Sequence, residues 1–166
     1  MNGPHMSFSE IVRMYQQPLY WHIRRVVIVH EDAEDILQET FMKAFRHLWQ
    51  LRSPGALRPW LFRIASNELN RYFRKHPALP SLEELPEQSF CALSEAQEAD
   101  IPAAAAQVIS AAMLQMSPLQ RQVFSMRYYE DMDYDQIARI TGASKNVLMV
   151  SYHEARKRIE KQIGHA

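Results

Sequence analysis

One stretch dictates how this chain can fold: residues 77–103 carry six acidic side chains and no basic one, together with Pro77, Pro80, Pro86 and Pro102. Proline bars helix interiors and pushes the residue before it toward extended backbone, and Glu83, Glu84, Glu87, Glu95, Glu98 and Asp100 work against a packed core. The stretch reads as a flexible acidic linker between two small helical domains. Leu79, Leu82, Leu85, Phe90 and Leu93 make it more apolar than a spacer needs, so it either docks on a neighbouring surface or is an ordinary loop with a helical turn. The flanking blocks are mildly basic, with 11 basic and 7 acidic side chains over residues 1–76 and 8 and 6 over residues 104–166. A formal net charge of zero therefore conceals a segregation.

A length of 166 residues suits one or two small domains. No run approaches the roughly 18 consecutive apolar residues that a membrane-spanning helix needs. The single Cys91 forms no internal disulfide, and the first residues lack the basic and apolar order of an export signal, so a reducing, cytoplasmic location is expected. Gly3-Pro4-His5-Met6 looks like a cloning remnant, and residues 1–6 are set aside from the fold. None of the seven histidines stands at ligand spacing from another, and the four glycines build no phosphate-cradling loop. No serine sits in a nucleophile elbow. No metal, no cofactor and no catalytic constellation is expected, and the chain is read as non-enzymatic.

Apolar residues recur at spacings of three and four through Phe8, Ile11, Val12, Tyr15, Leu19, Ile23, Val26 and Val27, which predicts a helix that Pro18 kinks or breaks. A second stripe runs Ala33, Ile36, Leu37, Phe41, Ala44, Phe45 and Leu48, with Glu31 and Asp32 suited to its N-terminus. Ser53-Pro54-Gly55 marks a turn, and a third helix is expected to start near Pro59 and to bury Leu61, Ile64, Ala65, Leu69 and Tyr72 or Phe73. Its opposite face aligns Trp60, Arg63, Asn67, Asn70, Arg71 and Arg74. Guanidinium groups suit phosphates, amides suit base edges, and an aromatic ring stacks on an unpaired base. The same stripe is also what a solvated cationic face beside a half-buried tryptophan would give.

The second block reads as a helix-turn-helix preceded by two helices. Val108 to Met116 is helical, Ser117-Pro118 caps and opens a helix from Leu119 to Tyr129, and Asp133 caps another over Tyr134 to Thr141. Gly142 suits the left-handed residue that ends that helix, Ser144 suits the next cap, and Ala138, Gly142 and Leu148 have the spacing of two helices crossing around a tight turn. The last helix buries Leu148, Tyr152, Ala155 and Ile159 and presents Lys145, Asn146, Met149, His153, Arg156 and Lys157, either to a major groove or simply to solvent as a charged C-terminal helix.

Three ordered motifs resemble a known family: Asp35-Ile36-Leu37-Gln38-Glu39-Thr40-Phe41, then Pro59-Trp60-Leu61-Phe62-Arg63-Ile64-Ala65-Ser66-Asn67, then the helix-turn-helix. From Phe8 to Ile163 the chain resembles a bacterial sigma factor of the extracytoplasmic-function group. The resemblance implies an all-α, two-domain specificity subunit of RNA polymerase, with region two over residues 7–76 and region four over residues 104–166. Asp35, Gln38, Glu39 and Phe41 match the motif that binds the clamp helices of core RNA polymerase. Arg58, Trp60, Arg63, Asn67, Asn70, Arg71 and Arg74 match the helix that reads and melts the minus-ten element, and the loop from Leu51 to Arg58 matches the one that captures a flipped base. Ser144, Lys145, Asn146, Met149, His153, Arg156 and Lys157 match positions that dock the minus-thirty-five element. The implied partners are core RNA polymerase, promoter DNA and an anti-sigma factor, with no membrane insertion.

The chain departs from the family at Val147, Met149 and Ser151, where a threonine and basic residues are common, and at Glu154, where arginine is. Lys145, Asn146, His153 and Arg156 are left to carry recognition. Two other readings compete: a stand-alone helix-turn-helix regulator, which leaves Asp35 to Phe41 unexplained, and a sigma-like protein-interaction module that selects no promoter. A resting state with the two domains packed together is expected.

Overall fold

A computed structural model describes residues 6–77 and 103–164. Among them the chain is all helical: α1 (Phe8–Val26), α2 (His30–Arg46), α3 (Leu57–Lys75), α4 (Ala103–Leu114), α5 (Pro118–Phe124), a π-turn (Ser125–Tyr129), α6 (Tyr134–Thr141) and α7 (Lys145–Gly164). Two short 3-10 turns, Leu48–Gln50 and Pro54–Ala56, connect α2 to α3. Most of the linker read over residues 77–103 lies outside the described residues, as does the start of the chain.

Local chemistry sets the helix ends. Ser7 and Glu10 exchange backbone and side-chain hydrogen bonds in a capping box that opens α1, and Ser117 with Gln120 and Asp133 with Gln136 do the same for α5 and α6. Gly142 closes α6 at φ 78°, a conformation that costs a residue with a Cβ far more than glycine. Pro18 does not break α1, which runs through it unbroken. Its ring lies on the exposed side, where water can satisfy the carbonyl that the missing N–H leaves unpaired. The expected single helix from Leu119 to Tyr129 changes pitch after Phe124, where the π-turn begins.

Helices α1, α2 and α3 form the first bundle, and α4, α5, α6 and α7 the second. Their cores are not separate. Ile11, Leu19, Ile23, Leu61, Phe62 and Leu69 belong to one apolar cluster with Val123, Met126, Met132, Ile137, Ile140 and Leu148. Helix α3 packs on α6, and α1 packs on α5 and the π-turn, so the two domains stand in the compact arrangement expected from the sequence. A smaller core of Ile109, Ala112, Met113, Met116, Phe124 and Ala155 belongs to the second domain alone. Phe62, Ser66 and Glu68 of α3 are buried beyond the face predicted by periodicity, because that helix is covered on two sides.

Candidate nucleic-acid and partner interfaces

The motif Asp35 to Phe41 lies mid-way along α2 and splits between two grooves. Gln38 and Phe41 face an open apolar groove of about 620 Å³ between α1 and α2, lined also by Phe8, Val12, Met42 and Phe45. Phe8 meets Phe45 edge-on at 5.1 Å and Phe41 at 6.4 Å. Asp35 and Glu39 face the other way, toward a polar groove that Asp32, Tyr72, Lys75 and His76 complete. There Tyr72 donates a hydrogen bond to Asp32 at 2.7 Å, and burial together with that carboxylate raises the phenol's pKa. Asp35, Gln38 and Glu39 are exposed and Phe41 half-buried, so the motif presents carboxylates beside apolar surface. Phe45, counted with the core stripe on spacing alone, is 63% exposed because it edges this groove.

On α3, Arg63, Asn67, Asn70, Arg71 and Arg74 are all exposed, and Trp60 is half-buried. The helix is continuous from Leu57 to Lys75, so spacings of three and four place them on one face. At its upper end a small cleft of about 220 Å³ is lined by Lys43, His47, Gln50, Trp60, Ile64, Asn67 and Glu68. Lys43, His47 and Gln50 come from the end of α2 and the first 3-10 turn. Sequence reasoning missed them because their approach to α3 depends on how the turns fold back. Lys43 is ion-paired with the buried Glu68, which anchors the cleft's floor.

Arg58 at the start of α3 and one member of the stripe, Asn70, are engaged by the second domain. Arg58 donates to the Glu130 carbonyl at 2.6 Å and to its carboxylate at 3.1 Å, and Asn70 accepts from Gln122 at 3.3 Å. Behind them Ser66 donates to Gln122 at 3.0 Å, and a hydrogen bond joins His22 Nδ1 to Ser125 Oγ at 2.8 Å. His22 is fully buried against Phe62, and burial with the nearby guanidiniums of Arg25 and Arg58 holds its pKa down to about 3.

Ser144, just before α7, and Lys145, Asn146, Met149, His153, Arg156 and Lys157 on it are all exposed. Asn146, Val150, His153 and Lys157, at i, i+4, i+7 and i+11, form its outward line, in which the 57%-exposed Val150 was not anticipated. Lys145 pairs with Asp135 at 3.1 Å and Arg156 with Glu160 at 3.8 Å, so both flanking cations have carboxylate neighbours. Arg156 also borders an apolar groove formed by Val108, Phe124, Tyr128, Tyr152 and Ile159. Among the described residues no three potential ligands cluster to hold a metal ion, and no helix is long and apolar enough to cross a membrane.

A helix carrying guanidinium and amide groups in one bundle, with a helix-turn-helix in the next, defines a two-domain helical protein that handles nucleic acid. Residues 11–77 match Sigma-70 region 2 and residues 106–159 match Sigma-70, region 4. The chain belongs to the sigma-70 family and is an RNA polymerase sigma factor of the extracytoplasmic-function group. It is 27% identical to the ECF RNA polymerase sigma factor SigM of Bacillus subtilis over 93% of this chain and 94% of the relative. It is 26% identical to the RNA polymerase sigma-H factor of Pseudomonas aeruginosa over 97% and 88%. The fold is similar to that of the sigma factor RpoE, solved in complex with the anti-sigma factor NepR from Bartonella quintana, with a TM-score of 0.72, 20% identity and coverage of 95% and 96%. CnrH, solved with the cytosolic domain of CnrY, gives 0.65, 19%, 95% and 88%.

Proposed function

We propose that this sigma factor binds core RNA polymerase through Asp35, Gln38, Glu39 and Phe41 and then directs initiation at specific promoters from the cytoplasm. In this reading α3 reads and opens the minus-ten element, the Lys43, His47, Gln50 and Trp60 cleft receives an unpaired base, and α7 docks the minus-thirty-five duplex. The supporting observation is the unbroken exposed stripe of Arg63, Asn67, Asn70, Arg71 and Arg74 beside that cleft. Unpairing a base costs about a few kcal/mol, and stacking with amide contacts on such a surface offsets it. The chain has no charge excess of its own, so its affinity for DNA is gained mainly through the enzyme it rides on. It acts as a non-enzymatic initiation factor, and the apolar α1/α2 groove suits a protein partner such as an anti-sigma factor.

Run-off transcription with bacterial core polymerase tests this. Asp35→Ala/Gln38→Ala is expected to abolish both core binding and specific initiation. Arg63→Ala/Asn67→Ala is expected to keep core binding while losing initiation by about 10- to 100-fold, the size of one or two lost base contacts. Core binding without initiation by the intact chain would favour the interaction module, the reading that exposed Val147, Met149 and Val150 on α7 support. Sequence-specific binding without polymerase would favour the stand-alone regulator.

A further inference from the structure

In a helix-turn-helix the N-terminal residues of the second helix meet the base edges. In this chain that tip, the first two turns of α7, is exposed but nearly bare of charge. Val147, Met149 and Val150 are 47%, 49% and 57% exposed, and none belongs to either apolar core. Met149 and Val150 stand beside Asn146 and His153 at spacings of three and four, and Val147 lies next to Val150 at a spacing of three. Singly, such residues need no explanation. Side by side at the tip of this helix, they decide what it can meet.

The charged groups nearby are turned elsewhere. Lys145 is the one charged residue among residues 145–152, and it pairs with Asp135 of α6 at 3.1 Å. Glu154, a carboxylate able to accept from cytosine, takes a hydrogen bond from Gln120 at 2.7 Å, which holds it toward α5. Arg156 lies beyond the tip and pairs with Glu160 at 3.8 Å. Guanine is read chiefly by a bidentate arginine or lysine, adenine by asparagine or glutamine, and thymine by apolar contact with its methyl group. The tip of α7 offers the second and third of these and lacks the first. Resting on the reading of α7 as the helix that docks the minus-thirty-five duplex, we propose that its tip selects A·T pairs, Asn146 taking an adenine edge and Val150 with Met149 taking the methyl of a neighbouring thymine, with no guanine required. Lys157, one turn beyond His153 on the same outward line, is left for phosphate, a contact that fixes register and carries no sequence information.

The test uses the full chain assembled with bacterial core polymerase and a duplex library randomised over about 40 base pairs, roughly four turns of the double helix. Retained duplexes are sequenced for the intact chain and for Asn146→Ala/His153→Ala. The block whose enrichment the double variant loses is the one α7 reads, and it is expected to consist of A·T pairs with no invariant guanine or cytosine. Replacing its thymines one at a time by deoxyuridine removes the methyl alone. At one or two positions this is expected to weaken binding of the wild-type holoenzyme by about two- to threefold, the size of a partly buried methyl, and to have no further effect on Val150→Ala/Met149→Ala. Val150→Arg, which supplies the missing guanidinium at an exposed position, is expected to enrich a G·C pair within the block. Circular dichroism checks that each variant keeps its helices. An invariant G·C pair in the wild-type block overturns the proposal while leaving α7 as a duplex reader. So does a deoxyuridine effect that is absent from the wild type or persists in Val150→Ala/Met149→Ala. If no block responds to Asn146→Ala/His153→Ala, α7 reads no bases, the reading of α7 as a duplex reader falls with the proposal, and its apolar tip belongs to a protein contact.

Discussion

Along α3 the exposed stripe sets Arg63, Arg71 and Arg74 around Asn67 and Asn70, whereas the outward line of α7 runs Asn146, Val150, His153 and Lys157 with Val147 and Met149 at its sides. Both are surface helices of similar length, 19 and 20 residues, yet they are suited to different tasks. Planar guanidiniums grip phosphate whatever the sequence, and the amides between them distinguish bases. Valine and methionine can meet a thymine methyl but pair with no base edge. Chemistry for holding a strand is therefore concentrated in the first domain, and the second contributes shape, a few polar contacts and the Glu130 carboxylate that meets Arg58.

The sharpest way to break that division is to ask whether the domains are separate at all. Phe62 is fully buried, lies 5.0 Å from His22 ring to ring, and belongs to the cluster that joins Leu61 and Leu69 to Met126 and Ile137. Phe62→Ala is expected to cost about 3–5 kcal/mol, the price of an aromatic-sized cavity. Because the core is shared, chemical denaturation followed by helix content and by interdomain energy transfer should shift together. Loss of the interdomain signal alone, with the helical transition unmoved, would restore two independent folding units.

A smaller effect sharpens the same point through pH. His22 has a folded pKa of about 3 against 6.5 in an ordinary environment, chiefly from burial and then from Arg25 and Arg58. Arg25 comes from its own helix, Arg58 from α3, Ser125 from the π-turn, and no carboxylate touches the ring in the described contacts. The folded imidazole stays neutral while the unfolded one takes a proton below about pH 6.5. This contribution is complete above that value and is lost as pH falls from there toward 3, by at most about 1.4 kcal/mol per unit. Urea titrations near pH 7.5 and pH 5.5 should show the loss, and His22→Gln should flatten it. A slope unchanged in the variant would place the proton elsewhere.

How much of this was legible before the structure depends on where each partner lies. Ser117, Asp133 and Gly142 act within a few residues of themselves, and their capping and turn roles followed from residue type and spacing. The α3 stripe was legible because periodicity alone assigns a helix face. The seam between the domains was not: Ser66 meets Gln122, and Arg58 meets Glu130, across 56 and 72 positions, and a lone serine, glutamine or glutamate carries no mark of so distant a partner. Phe45 misled for the opposite reason, since an aromatic that edges an open groove has the same spacing as one in the core. Pro18 left a kink or a break open, and the break does not occur because its ring lies on the exposed side, where water can meet the carbonyl left unpaired.

The least effect is expected on α7, and it is the measurement that decides how unequal the two helices are. Met149 is 49% exposed and Val150 57%, neither belongs to either apolar core, and replacing either with alanine keeps the helix while removing only exposed apolar surface. Stability should change by no more than about 0.5 kcal/mol. Promoter output in run-off transcription should fall less than about threefold, because a lost methyl contact lies at or below the bottom of the roughly 1–3 kcal/mol that a bidentate base contact contributes. Asn146→Ala and His153→Ala, the polar members of the outward line, set the scale on the same helix. If Met149→Ala or Val150→Ala matched the loss seen for Arg63→Ala/Asn67→Ala, the apolar surface of α7 would be a principal recognition element, and the division between a strand-gripping first domain and a docking second domain would not hold.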